Sequence, residues 1–175
     1  MRVLETPRLA LRQLTVDDAD FILGLLNEPS FIAQIGDKGI RTIEAARRFL
    51  TDGHIASYRR YGYGHYLVEL KQAADLQQAA GAGIPIGMCG LIHREHIQEI
   101  DVGFAFLPAY WSRGYATEAA RAVKEYGHRQ LGLTRIVGVV SPGNVGSIRV
   151  LEKLGLRFAR PVQLTADGDV VHLYD

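Results

Sequence analysis

The feature that most constrains this fold is a strand-like run that leads, across a glycine-containing turn, into a long amphipathic helix. In residues 99–107 large apolar side chains alternate with small or polar ones, as in a half-buried strand. In residues 117–131 apolar residues recur every three or four positions, which indicates one buried helix face. The sequence WSRGYAT, residues 111–117, joins the two runs. This order of elements predicts an α/β fold in which the helix covers a sheet.

Further patterns extend this into one mixed sheet with helices around it. Strand-like runs occupy residues 8–14, 65–70, 85–93, 135–140, 158–164 and 170–174. Helices are predicted to start near Thr15, Thr42 and Asn144, each of which is a residue type that caps helix N-termini. The stretch 71–83 is predicted to be a surface loop, and Asp167-Gly168 the turn of a final hairpin. With no internal repeat and no linker, we expect a single domain over residues 1–175.

Charge and composition exclude several kinds of partner. Twenty Lys and Arg residues against nineteen Asp and Glu residues give a formal net charge of +1. This balance gives no electrostatic reason to expect binding to nucleic acid or to an anionic membrane. The single cysteine, Cys89, can form neither an internal disulfide nor a cysteine-based zinc site, and His93 and His96 alone cannot complete a metal site. We therefore expect a cytoplasmic protein without a metal, either a monomer or a homodimer.

The glycine-marked turn before the long helix predicts an anion-binding site. The first turn of a helix has unpaired N–H groups and the positive end of the helix dipole. Gly114 and the small Ala116 would let a ligand approach this backbone, and Arg113 adds a forked cation that suits phosphate oxygens. A pyrophosphate cradle is one interpretation of these residues. An ordinary tight turn with small residues for helix packing is the alternative.

A second strand-to-helix junction, SPGNVGS in residues 141–147, follows the predicted strand 135–140. Asn144 is typical of a helix N-cap, and both Asn144 and Ser147 could also face a ligand shared with the first junction. Two neighbouring strand ends that open toward helix N-termini form a crevice suited to a nucleotide-like cofactor. The chain lacks both the dinucleotide-binding glycine pattern and the Gly-Lys-Ser/Thr phosphate loop, which argues against hydride transfer and P-loop chemistry.

Three segments together resemble the GCN5-related N-acetyltransferase (GNAT) superfamily, and specifically its RimJ/RimL-like branch of ribosomal-protein N-terminal acetyltransferases. They are TPRLALRQLTVDDAD in residues 6–20, DVGFAFLPAYWSRGYATEAARAV in residues 101–123, and SPGNVGSIRVLEKLGLRF in residues 141–158. The resemblance implies an α/β GNAT fold whose mixed central sheet splays between the fourth and fifth strands and is flanked by helices. It also implies acetyl-CoA as the cofactor and an amine acceptor.

The resemblance assigns roles to particular residues. The loop before the central helix would bind the coenzyme A pyrophosphate, the end of the preceding strand would bind the pantetheine arm, and the second junction would contact the cofactor from the other side. In that order, these residues are Arg113, Gly114, Tyr115, Ala116 and Thr117; Phe106 and Leu107; and Asn144 and Ser147. Leu151 stands where many relatives carry the tyrosine that protonates the leaving thiolate. Water or Ser147 would then supply that proton.

The candidate base is Asp101, which matches a family position often occupied by glutamate. It would act through a water or orient the acceptor ammonium; a solvated carboxylate or a partner for an arginine are the alternatives. A site with no strong base favours an α-amine, with pKa about 7.8, over a lysine amine at about 10.4. We therefore expect acetyl transfer to a protein or peptide N-terminus. Transfer to a small-molecule amine (an antibiotic, polyamine or amino acid) and a non-catalytic acyl-CoA-binding module are the alternatives.

Overall fold

The computed structural model describes residues 1–71, 83–166 and 168–175. Its larger sheet has five antiparallel strands in the order β1-β2-β3-β4-β5. These strands are β1 (Arg2–Glu5), β2 (Leu9–Gln13), β3 (His65–Leu70), β4 (Ile84–Arg94) and β5 (Glu99–Phe106). Most of the predicted loop at 71–83, namely residues 72–82, lies outside the described residues.

A smaller antiparallel sheet follows, in the order β6-β8-β7. Its strands are β6 (Gly138–Val140), β7 (Phe158–Gln163) and β8 (Val170–Tyr174). Strands β7 and β8 form the predicted C-terminal hairpin, although Asp167 of its turn is not among the described residues.

Six α-helices flank the sheets in the part of the chain that the structure describes. They are α1 (Ala19–Leu26), α2 (Pro29–Ile35), α3 (Ile43–Phe49), α4 (Ala56–Tyr61), α5 (Tyr115–Arg129) and α6 (Val145–Lys153). A π-helical segment, Leu50–Ile55, connects α3 directly to α4. None of the helices in the described ranges has both the length and the apolar character of a membrane span.

The helices cover both faces of the larger sheet. Ala120 and Val123 of α5 belong to the same buried cluster as Cys89, Leu91 and Val102 of the sheet. On the opposite face, α1 and α3 pack with the sheet side chains Leu67, Met88 and Ala105. The period-two alternation of the strands therefore supplies two apolar faces, and each face is buried under helices. This confirms the predicted α/β class with a helix-flanked sheet.

The two sheets meet over a very short distance and then diverge. The Val137 N–H donates to the Ile100 carbonyl at 2.8 Å, and the Val102 N–H donates to the Val137 carbonyl at 2.9 Å. The single parallel bridge between Asp101 and Val137 marks this contact. Beyond it, β5 and β6 separate. The fourth and fifth strands predicted from the sequence are the runs 99–107 and 135–140. In the structure these are β5 and β6, because the short strand β1 comes before all the predicted strands. The separation therefore lies between the predicted fourth and fifth strands.

Local differences from the predicted elements have physical causes. Strand β1 is only four residues long and forms an edge, so its alternation is too brief to recognise. Pro29 follows the end of α1 and is the first residue of α2. Proline suits this position because the first N–H of a helix has no intrahelical partner, so the missing N–H of proline costs nothing. Helix α5 starts at Tyr115, two residues before the predicted Thr117, because Gly114 is its N-cap.

Candidate active site

The N-terminus of α5 opens directly onto the end of β5. Gly114 has φ of +81°, the left-handed conformation that glycine adopts without strain, and it caps the helix. The first intrahelical bond here runs from the Glu118 N–H to the Gly114 carbonyl at 3.0 Å. The preceding N–H groups, those of Tyr115, Ala116 and Thr117, lie in the first turn and have no carbonyl a turn earlier in the helix. This end of the helix can therefore donate several hydrogen bonds to an anion.

An arginine from the β1–β2 turn holds this loop in place. Arg8 donates from Nη1 to the Arg113 carbonyl at 2.9 Å and from Nε to Glu118 Oε2 at 2.6 Å. Its guanidinium also lies 4.5 Å from the centre of the Tyr115 ring. Burial alone would raise the pKa of Glu118, but hydrogen bonds from Thr6 and Arg8 hold that pKa below its ordinary value. The loop is thus fixed before any ligand arrives, and Arg8 adds a cation that the sequence analysis did not identify.

The edge of β5 that faces β6 carries backbone groups suited to an extended ligand. Because Ile100 and Val102 bond to Val137 along this edge, strand alternation turns the N–H and C=O groups of Phe104 and Phe106 to the same side. There β6 has already diverged. The Phe106 carbonyl accepts a hydrogen bond from the Trp111 indole Nε1 at 2.7 Å. The Phe106 N–H points outward from the open edge of the strand.

Leu107 differs from Phe106 in this respect. Its N–H donates to the Ile86 carbonyl at 2.9 Å, and its carbonyl accepts from the Tyr110 N–H at 2.9 Å. Its backbone groups are therefore both engaged within the protein. What Leu107 can offer a ligand is its apolar side chain, whereas Phe104, which was not among the predicted residues, offers backbone groups.

A cavity of about 190 Å³ lies where the two sheets diverge, and we call it the cleft. Its walls come from β4, β5 and β6, from the first turns of α6, and from the end of α2 and the loop after it, with His65 of β3 and Val171 of β8 also in the lining. Among the residues predicted from the sequence, the cleft is lined by Asp101, Asn144 and Ser147, with Leu151 behind them. The segment 113–117 does not line the cleft and lies beyond the far end of β5.

Asp101 lines the cleft and is only 1% exposed. Its Oδ2 accepts hydrogen bonds from Arg94 Nε at 2.9 Å and Nη2 at 2.7 Å, and its Oδ1 accepts one from the Val139 N–H at 3.0 Å. Burial raises the pKa of Asp101, although Arg94 and the Val139 N–H act in the opposite direction. The carboxylate therefore joins β4, β5 and β6 at one point. It is paired rather than solvated, and any proton that it accepted would compete with these three hydrogen bonds.

The N-terminus of α6 forms the opposite wall of the cleft. Asn144 Oδ1 accepts a hydrogen bond from the Ser147 N–H at 3.0 Å, which confirms the predicted N-cap. This geometry leaves the Asn144 side-chain amide and the Ser147 hydroxyl to face a ligand. Leu151 is buried one turn later and fills the space that Gly138 leaves, since a Cβ on Gly138 would lie 2.5 Å from Leu151 Cδ2. At the position where the family resemblance leads one to expect a tyrosine, this fold has a buried apolar side chain.

Two histidines that the sequence analysis did not single out lie under the cleft. His65 of β3 is in register with Gly90, which is in register with Gly103 of β5. A Cβ on Gly103 would lie 2.8 Å from His65 Nε2, so this glycine admits the imidazole into the cleft wall. The His54 ring, from the π-helical segment, lies 5.2 Å from the His65 ring. Among the described residues, none bonds to the buried His54 Nε2.

Both histidines are uncharged at neutral pH. Burial lowers the pKa of His54 to about 4. Burial also holds the pKa of His65 well below its ordinary value, with smaller effects from His54 and Arg94. The sequence signal for this pair was the placement of two glycines on adjacent strands, but it becomes visible only with the strand register.

Other candidates from the sequence lie outside the cleft. Glu99, two residues before Asp101, forms an ion pair with Arg135 at 3.2 Å. The His93 ring stacks on Tyr61 with centroids 4.9 Å apart. His96 is exposed in the β4–β5 turn. These residues have packing or surface roles in the fold.

Comparison with known proteins agrees with the geometry. The family model described as "Acetyltransferase (GNAT) domain" matches residues 8–157. The probable N-acetyltransferase YjcK of Bacillus subtilis is 32% identical over 161 residues, which cover 87% of this chain and 82% of the relative. The solved structure of RimL, a ribosomal L7/L12 α-N-protein acetyltransferase in complex with coenzyme A, matches with a TM-score of 0.79 at 16% identity and covers 99% of this chain and 96% of its own. An aminoglycoside acetyltransferase in complex with coenzyme A matches with a TM-score of 0.69 at 20% identity, over 95% and 94% of the two chains. The two structures share the fold with this chain.

Proposed function

This chain belongs to the GNAT acetyltransferase family and is an acetyl-CoA-dependent N-acetyltransferase, and we propose that it acetylates the α-amino group of a protein or peptide N-terminus. We further propose that residues 1–175 act as one catalytic domain in the cytoplasm, as a monomer or a homodimer. The observation that carries the proposal is the continuous path from the open N-terminus of α5, along the unpaired edge of β5, to the cleft.

The residues along this path fit coenzyme A. The first-turn N–H groups of Tyr115, Ala116 and Thr117 would bind the pyrophosphate, with Arg113 at the side and Gly114 allowing close approach. A Cβ at position 114 would lie 3.3 Å from Arg8 Nη2, at the N-cap of the helix that carries these N–H groups. The Phe104 carbonyl and the Phe106 N–H would bind the pantetheine amides as a neighbouring strand would. Asn144 and Ser147 would contact the same arm from α6.

The chain's own groups also suit the chemistry at the thioester. Acetyl-CoA supplies an activated acetyl group whose carbonyl carbon accepts the amine nitrogen and whose sulfur leaves as a thiolate. Backbone N–H groups on the open edge of β5, that of Phe104 above all, are fixed donors for the carbonyl oxygen. The thiolate needs little help from an acid, because an ordinary thiol has a pKa of only about 8.5. Ser147 is our candidate for returning a proton to it, since Leu151 cannot.

The state of Asp101 supports an α-amine as the nucleophile. Because its carboxylate already accepts three hydrogen bonds, Asp101 acts in this proposal by orienting the acceptor, directly or through a water, rather than as a strong base. Without a strong base to remove its proton, the acceptor amine must already be partly in its neutral form. An α-amine with a pKa of about 7.8 is roughly 14% neutral at pH 7, whereas a lysine amine is roughly 0.04% neutral.

Release of coenzyme A thiol, measured across a panel of peptides and small amines, tests the acceptor. Peptides with a free N-terminus should react, and the same peptides with a blocked N-terminus should not, even when they contain lysine. Fastest turnover with a polyamine or an antibiotic would identify the small-molecule alternative instead. Tight acetyl-CoA binding with no transfer to any amine would identify a non-catalytic binding module.

The substitution Gly114→Glu tests the cofactor path. The new carboxylate would repel the pyrophosphate and its side chain would cover the helix N-terminus, so acetyl-CoA affinity measured by calorimetry should fall at least tenfold. Gly132→Glu is the matched control, because Gly132 lies beyond the other end of α5, has φ of +66° and has no atom within 4 Å of the position that a Cβ would take. The control should suffer the same backbone strain and keep its affinity. Unchanged affinity in Gly114→Glu would refute the assignment of the loop.

A further inference from the structure

The described lining of the cleft has one positive charge in excess, that of the exposed residue Lys38. Lys38, from the loop after α2, and Arg94, from β4, both line it. Asp101 is the one carboxylate in the described lining, and it is already bonded to Arg94 and to the Val139 N–H. Partial burial, and secondarily the charge of Arg94, lowers the pKa of Lys38. None of the ion pairs between described residues includes Lys38, so its charge is left for a ligand.

These cations are too far from the cofactor loop to serve the coenzyme A pyrophosphate. From Asp101 to Phe106 the chain is extended, and five steps of about 3.3 Å give roughly 17 Å before the loop to α5 even begins. The pyrophosphate proposed at residues 113–117 lies past that far end. Lys38 and Arg94 lie at the other end of the open edge, beyond Phe104, where an acceptor would meet the thioester.

The last turn of α2, four residues before Lys38, is attached to the cleft wall. Ser141, directly after β6, donates a hydrogen bond from Oγ to the Gln34 carbonyl at 3.3 Å. Gln34 and Ser141 both line the cleft together with Lys38. The loop that presents the ammonium group therefore starts from a helix end that is bonded to the smaller sheet.

We infer, on the premise of the proposed function, that the preferred acceptor carries an anionic group close to its reacting amine. Lys38 would pair with that group, because the charge of Arg94 is already balanced by Asp101. A peptide N-terminus followed by Asp or Glu has this chemistry, as does a free acidic amino acid. A polycation such as a polyamine or an aminoglycoside would meet the Lys38 ammonium, while the one carboxylate in the described lining is already bonded to Arg94.

The experiment compares acceptors that differ only in charge. We would measure kcat/KM with two peptides of equal length, Ser-Asp-Asp and Ser-Lys-Lys at their N-termini, with free aspartate and with spermidine. We expect the acidic peptide to exceed the basic one by about tenfold, which is typical of one partly desolvated ion pair. Activity with free aspartate equal to that with the peptide would assign the site to a small acidic amine rather than a protein N-terminus.

Charge reversal at Lys38 provides the second arm. Lys38→Glu should abolish or invert the preference, mainly through KM, and Lys38→Gln should reduce it. Lys153→Glu is the control, since Lys153 is an exposed lysine at the end of α6 outside the cleft, and it should keep the wild-type preference. A preference for the basic peptide or spermidine, or an unchanged preference in Lys38→Glu, would overturn the inference. Absence of transfer to every amine would instead contradict the proposed function.

Discussion

Replacement of Asp101 tests whether this carboxylate holds the cleft together or abstracts a proton. Asp101→Asn keeps an oxygen that can accept from the Val139 N–H. Its new NH2 group is a donor that would face the donor groups of Arg94, so the ion pair is lost. Asp101→Ala removes all three hydrogen bonds. In both variants a guanidinium is left beside the cleft without its counter-charge.

The expected loss follows from the burial of the pair. Removing one partner of a buried ion pair costs about 3–5 kcal/mol. Here Asp101 is 1% exposed but Arg94 keeps 30% of its side-chain area in contact with solvent, and burial raises the pKa of Asp101, so part of the attraction is offset. We therefore expect the lower end, about 3 kcal/mol. For a domain of this size the melting temperature should fall by about 6–12 °C.

Urea unfolding followed by circular dichroism would measure this loss alongside kcat for thiol release. In an Arg94→Met background the same Asp101→Asn change should cost much less, with a coupling of at least about 1.5 kcal/mol. Asp37→Asn, in the exposed pair with Arg41, is the control and should leave the unfolding midpoint unchanged. A variant Asp101→Asn that unfolds like the wild type and yet loses turnover would refute the positioning role and identify Asp101 as the base.

Two further predictions concern the walls of the cleft. Burial lowers the pKa of His54 to about 4, so below about pH 6.5 the unfolded chain binds more protons than the folded chain. The contribution of His54 to the free energy of unfolding should be full above that pH and fall by about 3 kcal/mol as the pH drops to 4. His54→Phe should reduce this dependence by about that amount in urea titrations at several pH values and leave the part that His65 contributes, whereas a fall as steep as in the wild type would contradict the assignment. Gly138→Ala places its Cβ 2.5 Å from Leu151 and should cost about 1–3 kcal/mol by overpacking. The double variant with Leu151→Ala should cost less than the sum of the two single changes, and strict additivity would show that the two side chains do not compete for one space.

The elements that carry a long local pattern could be predicted from the sequence. Helix α5 was predicted because its apolar residues repeat over four turns, and its first residue shifted only because Gly114 takes a left-handed conformation. Asn144 was identified as an N-cap, since that role depends on residues within one turn. Strand β1 was missed because four residues at an edge hold too little pattern.

The groups that complete the cleft could not be predicted, because they depend on strand register and on distant contacts. Arg94 meets Asp101 only through the register of the β4–β5 hairpin. The row of His65, Gly90 and Gly103 requires the register of three strands at once. Lys38 lines the cleft from the loop after α2, far from Asp101 in the sequence. A single sequence contains none of these distances.

The clamp between Arg8 and Glu118 has a consequence for the order in which the chain matures. The two residues are 110 positions apart, and Arg8 also holds the Arg113 carbonyl, 105 positions away. During synthesis the first strands leave the ribosome long before α5 exists, so the turn that carries Arg8 must wait for two thirds of the protein. Such distant pairings close large loops and form late. A nascent chain that ends before Glu118 lacks one end of this clamp and cannot fix its cofactor loop, so acetyl-CoA capture waits until about two thirds of the protein has been made.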